Sequence, residues 1–310
     1  MKIGINGTGL VQKASVDAVA AHAAAAAADG FASYWLAEHP TGGFDALTVL
    51  ALVGQRVGAL ELGTAIVPTF PRHPLTLAGQ ALTTATSIDH RLTLGIGLSH
   101  EPMMAQLGIG FDKPIRHLRE YLTVLMALMR QGRVDFTGAT LACHAELFRP
   151  PEAVTPVVVA ALGPQALKVA GSLADGTTLA WVGPRTVREH IAPRIRAAAA
   201  AAGRPEPRII ATLPVCVTGD AAAVRAAIGK GLSMYGRLPS YRAMFEREGV
   251  DGPADVAIVG SAAQVEDRLQ AMAEAGVTDF AASEFVRSPE ERDATRTLLR
   301  GLIADAKSPH

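Results

Sequence analysis

The sequence has few cysteines and few aromatic residues, and it has no excess of charge of either sign. Its 310 residues include two cysteines, Cys143 and Cys216, which lie far apart and form no C-x-x-C pair. This spacing argues against a disulfide framework and a zinc ribbon, and it predicts a reducing, cytoplasmic environment. Lys and Arg number 29, as do Asp and Glu. Nucleic acid and anionic membrane surfaces are disfavoured as partners, because binding them requires a basic excess.

Long uninterrupted apolar runs are also missing. No segment provides the roughly 18 consecutive apolar residues that a membrane-spanning helix needs. The first thirty residues end in small side chains, as a secretion signal does, but Asn6, Gln12, Lys13 and Asp17 interrupt their apolar stretch. We therefore expect neither a membrane span nor a secretion signal. The apolar content of 49% nevertheless allows a large buried core.

What the sequence does contain is a repeated alternation of a short apolar run and a longer helical stretch. The first pair is Lys2–Asn6 with a helix over 16–28, and eight such units follow one another along the chain. Eight units in a chain of this length predict an α/β fold, a (β/α)₈ TIM barrel formed by a single domain, 1–310. The pattern lapses over 133–156, which predicts an inserted hairpin and loop between helix 4 and strand 5. The alternative is an open doubly wound sheet, but Gly95-Ile96-Gly97 lacks the third glycine of the dinucleotide fingerprint.

The ends of the predicted strands indicate where a site would lie. In a barrel of this class the carboxyl ends of all strands meet at one face, the mouth, and active sites are built there. Polar residues follow several strands, namely Asn6, Glu38, His39, Ser99, His100, Glu101 and Glu284. Strands five and six end instead in the segments ALGP, which includes Gly163-Pro164, and WVGP, which includes Gly183-Pro184. A mouth that is part polar and part apolar is typical of a pocket for a flat organic cofactor.

Five segments carry a resemblance to a known family: YWLAEHP, GTAIVPTFPRHP, RLTLGIGLSHEP, ALGPQALKVAG and EREGVDGPADVAIVGSAAQVEDRL. With these segments in the same order, the chain resembles the bacterial luciferase-like superfamily and is most similar to its F420-dependent branch. The resemblance implies a TIM barrel with an insertion after helix 4. It also implies an acidic-His pair at Glu38-His39, where Asp is the usual acidic residue, and a non-proline cis peptide near Ala65-Ile66 that braces the cofactor ring.

The function implied by this resemblance is an oxidoreductase that transfers a hydride between the C5 atom of coenzyme F420 and a small organic substrate. FMN is the alternative cofactor, and an FMN-dependent luciferase-like monooxygenase or a non-catalytic flavin-binding barrel are the alternative functions. The catalytic residues would be His39 and Glu38, and Asn6 and Glu284 would contact substrate. The cofactor would be bound by Ala65, Ile66, Ser99, His100, Glu101, Ala160, Ala161, Leu162, Gly163, Pro164 and Trp181. A homodimer is expected, because dimers are common in the family.

The chemistry of these residues leaves some alternatives open. Histidine has an ordinary pKa of about 6.5, which suits His39 for proton donation, although a structural histidine is the other interpretation. The N–H groups that follow Gly163-Pro164 would favour a cofactor phosphate, unless the pair merely turns strand into helix. The same applies to Gly183-Pro184. Arg72 is a candidate for the cofactor's acidic tail. No H-x-x-x-H or H-E-x-x-H spacing occurs, so no metal site is expected.

Overall fold

The computed structural model describes residues 1–11, 14–39 and 42–305. The strands in this part of the chain are β1 (Lys2–Asn6), β2 (Ser33–Leu36), β3 (Glu61–Thr64), β4 (Val67–Pro68), β5 (Leu92–Gly97), β6 (Arg133–Thr137), β7 (Ala142–Glu146), β8 (Val157–Val159), β9 (Gly176–Ala180), β10 (Arg208–Val217), β11 (Ile258–Gly260) and β12 (Asp279–Glu284). Eight of them form a closed parallel barrel in the order β1, β2, β3, β5, β8, β9, β10 and β12, and β12 pairs again with β1. The predicted TIM barrel is confirmed.

Helices surround the barrel and connect its strands. They are α1 (Val16–Ala28), α2 (Ala46–Gly54), α3 (Pro74–Ser87), α4 (Glu101–Gln106), α5 (Pro114–Gln131), α6 (Pro164–Leu173), α7 (Pro184–Thr186), α8 (Ala192–Ala201), α9 (Ala221–Gly231), α10 (Pro239–Glu248), α11 (Pro253–Val256), α12 (Ala262–Glu274) and α13 (Pro289–Asp305). A π-helical turn, Val187–Ile191, joins α7 to α8. Local signals set several boundaries, since Ser15 caps α1 by accepting from Ala18 N, and Gly132 ends α5 in a left-handed conformation.

Alternation along the strands separates two apolar layers. Residues such as Ile5, Leu36 and Leu94 point outward and pack with the helices in the main core. The inward positions form a small second cluster that contains Trp35 and Val158. The indole of Trp35 lies against Gly63, where any Cβ atom would approach the ring to 2.1 Å. Trp35 therefore fills the middle of the barrel and sets the depth of the space above it.

Charged side chains close the interior at the opposite, amino-terminal end of the strands. The Arg208 guanidinium lies 2.8 Å from a Glu61 carboxylate oxygen and 2.7 Å from an Asp279 carboxylate oxygen. These hydrogen bonds and ion pairs more than offset the opposing effect of burial, so the pKa of Arg208 is raised. This end of the barrel is thus filled by a paired network, and the mouth is left for chemistry.

The structure adds detail that periodicity did not predict. The insertion does contain the expected hairpin, an antiparallel pairing of β6 with β7. The third unit of the barrel has two short strands, β3 and β4, separated by Ala65 and Ile66. Two short elements were not anticipated, strand β11 beside β10 and helix α4, because each is too short to show a periodic pattern. Among the described residues, no helix is long and apolar enough to span a membrane.

Candidate functional site

Small residues line the mouth above Trp35. A Cβ atom built on Gly97 would lie 3.0 Å from the Ala160 Cβ and 3.2 Å from Ile66 Cδ1, so these three residues meet at one place. Ala65 packs on the cluster that contains Trp35. Gly97, Ala65 and Ala160 carry no side-chain atom beyond Cβ, and we call this group, together with Ile66 and the buried Trp35 indole, the bowl.

A cis peptide bond between Ala65 and Ile66 forms one wall of this bowl. The family resemblance implied a cis peptide near this position, and the structure has it between these two residues. It lies between β3 and β4, and the Ile66 carbonyl accepts a hydrogen bond from Glu38 N at 2.9 Å. Thr69 N in turn donates to the Gly97 carbonyl at 2.9 Å. The segment from the cis peptide to Thr69 is therefore hydrogen-bonded both to the chain that follows β2 and to the end of β5.

The Glu38 carboxylate is held by an arginine. Arg72 Nη1 donates to Glu38 Oε1 at 2.6 Å, and the other Glu38 oxygen accepts from Ala46 N at 3.4 Å. Arg72 also pairs with Asp45, so two carboxylates balance its charge. The interpretation of Arg72 as a receptor for the cofactor's acidic tail is thus disfavoured. The ion pair between Glu38 and Arg72 therefore holds the backbone directly before His39.

Two histidines from different strand ends lie close enough to influence each other. His100 follows β5 and is the N-cap residue of α4. Burial lowers the pKa of His100, and the charge of His39 lowers it further. His100 is therefore neutral near pH 7 and can donate or accept a hydrogen bond. The structure brings together the two histidines that the sequence placed at the mouth.

The residues on either side of His100 have different surroundings. Ser99 adopts a positive φ of 61°, and its hydroxyl donates to Met103 Sδ at 3.6 Å. Glu101 begins α4 and is exposed. This placement favours His100 over Glu101 as the residue that reaches the mouth.

The segment Ala160–Pro164 lies on the other side of β5 from the cis peptide. Ala160 N donates to the Ile96 carbonyl at 2.8 Å, which ties the segment to β5. Leu162 O accepts from His190 Nε2 at 2.7 Å. Gly163 is exposed and is the N-cap residue of α6, where no side chain caps the helix. A Cβ atom on Gly163 would meet nothing within 4 Å, so the N-terminal end of α6 is open to an anion.

The second predicted phosphate position, after β9, is filled by the protein itself. Glu248 accepts hydrogen bonds from Thr186 N at 2.7 Å and Arg185 N at 3.2 Å. A Cβ atom on Gly183 would lie 2.3 Å from the Glu248 carboxylate carbon. This corrects the expectation for Gly183-Pro184, because a carboxylate already occupies the N–H groups that a phosphate would need.

Four aromatic side chains form a continuous series across the mouth, which we call the aromatic strip: His100, Tyr241, Tyr235 and Trp181. Successive ring centroids are 5.3, 5.8 and 5.1 Å apart. All four side chains are half-buried. Sequence reasoning identified His100 and Trp181 but missed the two tyrosines. The available signal was that two of the chain's four tyrosines follow strand β10 within one short stretch.

A second aromatic group lies on the other side of the mouth. The His117 ring stacks on Phe70 with centroids 4.0 Å apart and planes 10° apart, and His117 Nε2 lies 3.1 Å from Thr69 Oγ1. Burial lowers the pKa of His117, an effect that Glu120 partly opposes. His117 lies on α5, and the sequence did not single it out as a site residue. Its contact with Thr69 links that helix to the cis-peptide side of the bowl.

The two predicted substrate residues lie in different places. Asn6 ends β1 inside the barrel, where its Oδ1 accepts from Thr8 N at 2.9 Å and its Nδ2 donates to Thr212 Oγ1 at 3.4 Å. Glu284 instead faces the helices, where Arg296 Nε and His22 Nε2 contact its carboxylate at 2.7 and 2.9 Å. This corrects the expectation for Glu284. The reason is strand alternation, since Ala281 faces inward and a residue three positions later faces outward.

Two concavities lie away from the mouth. One, of about 600 Å³, runs between α5 and the β6–β7 hairpin, and the other, of about 680 Å³, lies at the amino-terminal end of the barrel. Within the described ranges, no three His, Cys, Asp or Glu side chains are grouped as ligands for a metal ion. Among the described residues, His39, His100, the bowl and the open end of α6 thus occur together at the mouth.

Comparison with known proteins relates this geometry to known folds. Residues 3–279 match the family model for luciferase-like monooxygenases. An F420-dependent glucose-6-phosphate dehydrogenase of Mycolicibacterium gilvum is 30% identical over 168 residues, which cover 51% of this chain and 49% of the dehydrogenase. This chain thus aligns with about half the length of that relative.

Solved structures share the fold over nearly the whole chain. An F420-dependent tetrahydromethanopterin reductase from Methanopyrus kandleri superposes with a TM-score of 0.82 at 21% identity, covering 99% of both chains. The oxygenating constituent of 3,6-diketocamphane monooxygenase from Pseudomonas putida, in complex with FMN, has a TM-score of 0.77 at 15% identity and 98% coverage of both chains. At these identities the likeness establishes the barrel fold alone.

Proposed function

Because the chain belongs to the luciferase-like monooxygenase family, we propose that it is an oxidoreductase that binds coenzyme F420 and transfers a hydride between its C5 atom and a small organic substrate. The observation that carries the proposal is the bowl at the mouth, where the cis peptide Ala65-Ile66 and the segment Ala160–Pro164 lie on either side of the end of β5 beside His39 and His100. The curated relatives named as F420-dependent dehydrogenases support the choice of cofactor.

The residues at the mouth fit such a cofactor in shape and charge. Ala65 and Ala160 have small side chains, which would suit a flat ring stacked above Trp35. The uncapped N-terminus of α6 offers N–H groups of Gln165 and Ala166 to a phosphate, because Pro164 has none and Leu167 N already donates to Gly163 O. When bound, F420 would supply a carbon that gives or accepts a hydride.

The protein side of the reaction is then proton handling and positioning. We assign His39 to donate or accept the proton that accompanies substrate oxidation or reduction. Neutral His100 would hydrogen-bond to substrate or ring without adding a charge to the bowl. Glu38 would act through its pairing with Arg72, which fixes the chain before His39. Asn6 remains a proposed substrate contact, since it lies inside the barrel at the end of β1.

A second function has support from a specific observation. The structural neighbours include a monooxygenase in complex with FMN, the diketocamphane enzyme, and the same bowl would accept an FMN ring. The two functions differ in their need for oxygen, because hydride transfer to or from a deazaflavin requires none.

We also propose that the enzyme is a cytoplasmic homodimer, with Leu52 of α2, 46% exposed, on a candidate interface. Light scattering on purified protein measures the oligomeric state.

Anaerobic turnover tests the proposal. Purified protein would be incubated without oxygen with oxidised F420 and a panel of sugar phosphates and secondary alcohols, and with reduced F420 and the corresponding ketones. Loss or recovery of the absorbance of oxidised F420 measures hydride transfer. We expect turnover of at least one compound without oxygen. Turnover that requires both FMN and oxygen would instead assign the monooxygenase function.

A further inference from the structure

One carboxylate connects the aromatic strip to the frame of the barrel. Glu248 is the last residue of α10, and its two oxygens accept from Arg185 N and Thr186 N. These N–H groups begin the helical stretch after β9, at an end where negative charge is favoured. The side chain thus supplies, from another helix, the negative charge that an external anion would otherwise bring.

The same helix carries one ring of the strip. Tyr241 and Glu248 are seven residues apart on α10, so they lie on the same face of the helix, two turns from each other. A second bond joins the two helices, since Thr186 Oγ1 donates to the Met244 carbonyl at 3.4 Å. The orientation of Tyr241 is therefore coupled to the contact between Glu248 and the helix after β9.

The sequence at the receiving end leaves space for this carboxylate. Gly183 precedes the helix with an ordinary negative φ of −85°, so backbone conformation does not require glycine there. A side chain does not fit, because its Cβ atom would lie 2.3 Å from both the carboxylate carbon and Oε1 of Glu248. The absence of a side chain at position 183 and the presence of a carboxylate at 248 thus form a matched pair.

We propose that Glu248 is a positioning residue, whose hold on the helix after β9 keeps Tyr235 and Tyr241 of the aromatic strip facing the substrate. The proposal rests on the proposed function for the identity of the site. The strip is half-buried and its rings remain partly uncovered, so it contacts an uncharged, flat or apolar part of the substrate. Glu248 itself touches neither substrate nor cofactor.

Tryptophan fluorescence tests this role without cofactor or substrate. The chain has two tryptophans, and Trp35 is fully buried, so quenching by acrylamide reports on Trp181 at the end of the strip. In Glu248→Ala we expect the quenching constant to rise by about twofold, because loss of the bonds lets the strip open locally. Gly183→Ala should act in the same direction by displacing the carboxylate, and Glu248→Gln, which keeps one acceptor oxygen, should give an intermediate value.

The matched control is Glu246→Ala on the same helix, where the carboxylate is exposed and lies 3.9 Å from Arg242. It should leave the quenching unchanged. Far-UV circular dichroism would establish that each variant is folded, and Glu248→Gln and Gly183→Ala decide the matter if Glu248→Ala does not fold. Unchanged quenching in folded Glu248→Ala or Gly183→Ala would overturn the proposal.

A second readout separates this proposal from the proposed function. F420 affinity of Glu248→Ala should equal that of the wild type. For any panel compound that the wild type turns over, KM of the variant should rise by about tenfold at nearly constant kcat. This is the pattern expected when a binding contact is lost. Failure of the wild type to bind F420 would refute the cofactor assignment and leave the quenching result intact. A change in kcat alone would contradict a role for Glu248 in positioning the aromatic strip.

Discussion

Gly163→Val tests where the cofactor phosphate lies. Gly163 is the N-cap residue of α6, with φ −78° and ψ 155°, a conformation that valine adopts readily. Its Cβ atom would meet no atom within 4 Å, so the protein accommodates the branched side chain without repacking. The new methyl groups would stand in front of the N–H groups of Gln165 and Ala166. The substitution thus obstructs the proposed phosphate contact while leaving the fold intact.

The expected loss follows from the number of hydrogen bonds. Two N–H groups are available at this helix end, and a hydrogen bond to a charged group contributes about 1.5–3 kcal/mol. Loss of one of them would weaken F420 binding by about 10- to 150-fold, since each 1.4 kcal/mol is a factor of ten. Thermal stability should change little, because the position is exposed.

Fluorescence titration with F420 measures the affinity, and thermal unfolding measures the stability. The matched control is Gly58→Val at the amino-terminal end of the barrel, where a Cβ atom also meets nothing within 4 Å. The control should bind F420 like the wild type. If folded Gly163→Val keeps its affinity, the phosphate does not lie at α6. The end of α7 would not be the next candidate, because Glu248 already occupies it.

Three further outcomes are expected. His39→Ala should lower kcat by about 10²–10⁴-fold with little change in F420 affinity, as for a positioned acid-base group. His144→Ala in the exposed hairpin should leave both kcat and F420 affinity unchanged. Normal turnover in His39→Ala would remove His39 from the mechanism. Arg208→Ala should destabilise the fold by about 3 kcal/mol in denaturant unfolding, because the Glu61 and Asp279 carboxylates would lose their cationic partner. An unchanged midpoint of unfolding would show that the network does not stabilise the fold. Burial would raise the pKa of Glu284, but hydrogen bonds from Arg296 and His22 outweigh burial and lower the pKa to about 2. The stabilising contribution of the Glu284 carboxylate is therefore complete above about pH 4.5 and is lost as the pH falls toward 2. Arg296→Ala should remove that part of the acid sensitivity in unfolding curves.

Much of the fold could be predicted because local signals set the element boundaries. Strand Lys2–Asn6 and helix Val16–Ala28 have the bounds that the sequence predicts, since a run of apolar residues and the cap at Ser15 are both local features. The count of eight units then determined the barrel. Helix α4 was not predicted, because Glu101-Pro102 opens a helix of six residues, too short for a periodic pattern.

The site was predictable where it depends on strand order, and not where it depends on distant side chains. His39 and His100 follow strands, and the carboxyl ends of barrel strands share one face, so their meeting could be expected. The occupation of the Gly183 position could not, because Glu248 lies 62 residues or more away from the N–H groups it binds. Whether the Glu284 side chain points inward or outward depends on the register of its strand, and composition and spacing do not give that register.

The most direct test of the central claim is a pair of anaerobic titrations of the purified protein, one with F420 and one with FMN, followed by fluorescence. The bowl, the cis peptide at Ala65-Ile66 and the open end of α6 predict tighter binding of F420, and turnover that continues without oxygen. Tighter binding of FMN, together with turnover that stops when oxygen is removed, would contradict the account and identify a monooxygenase.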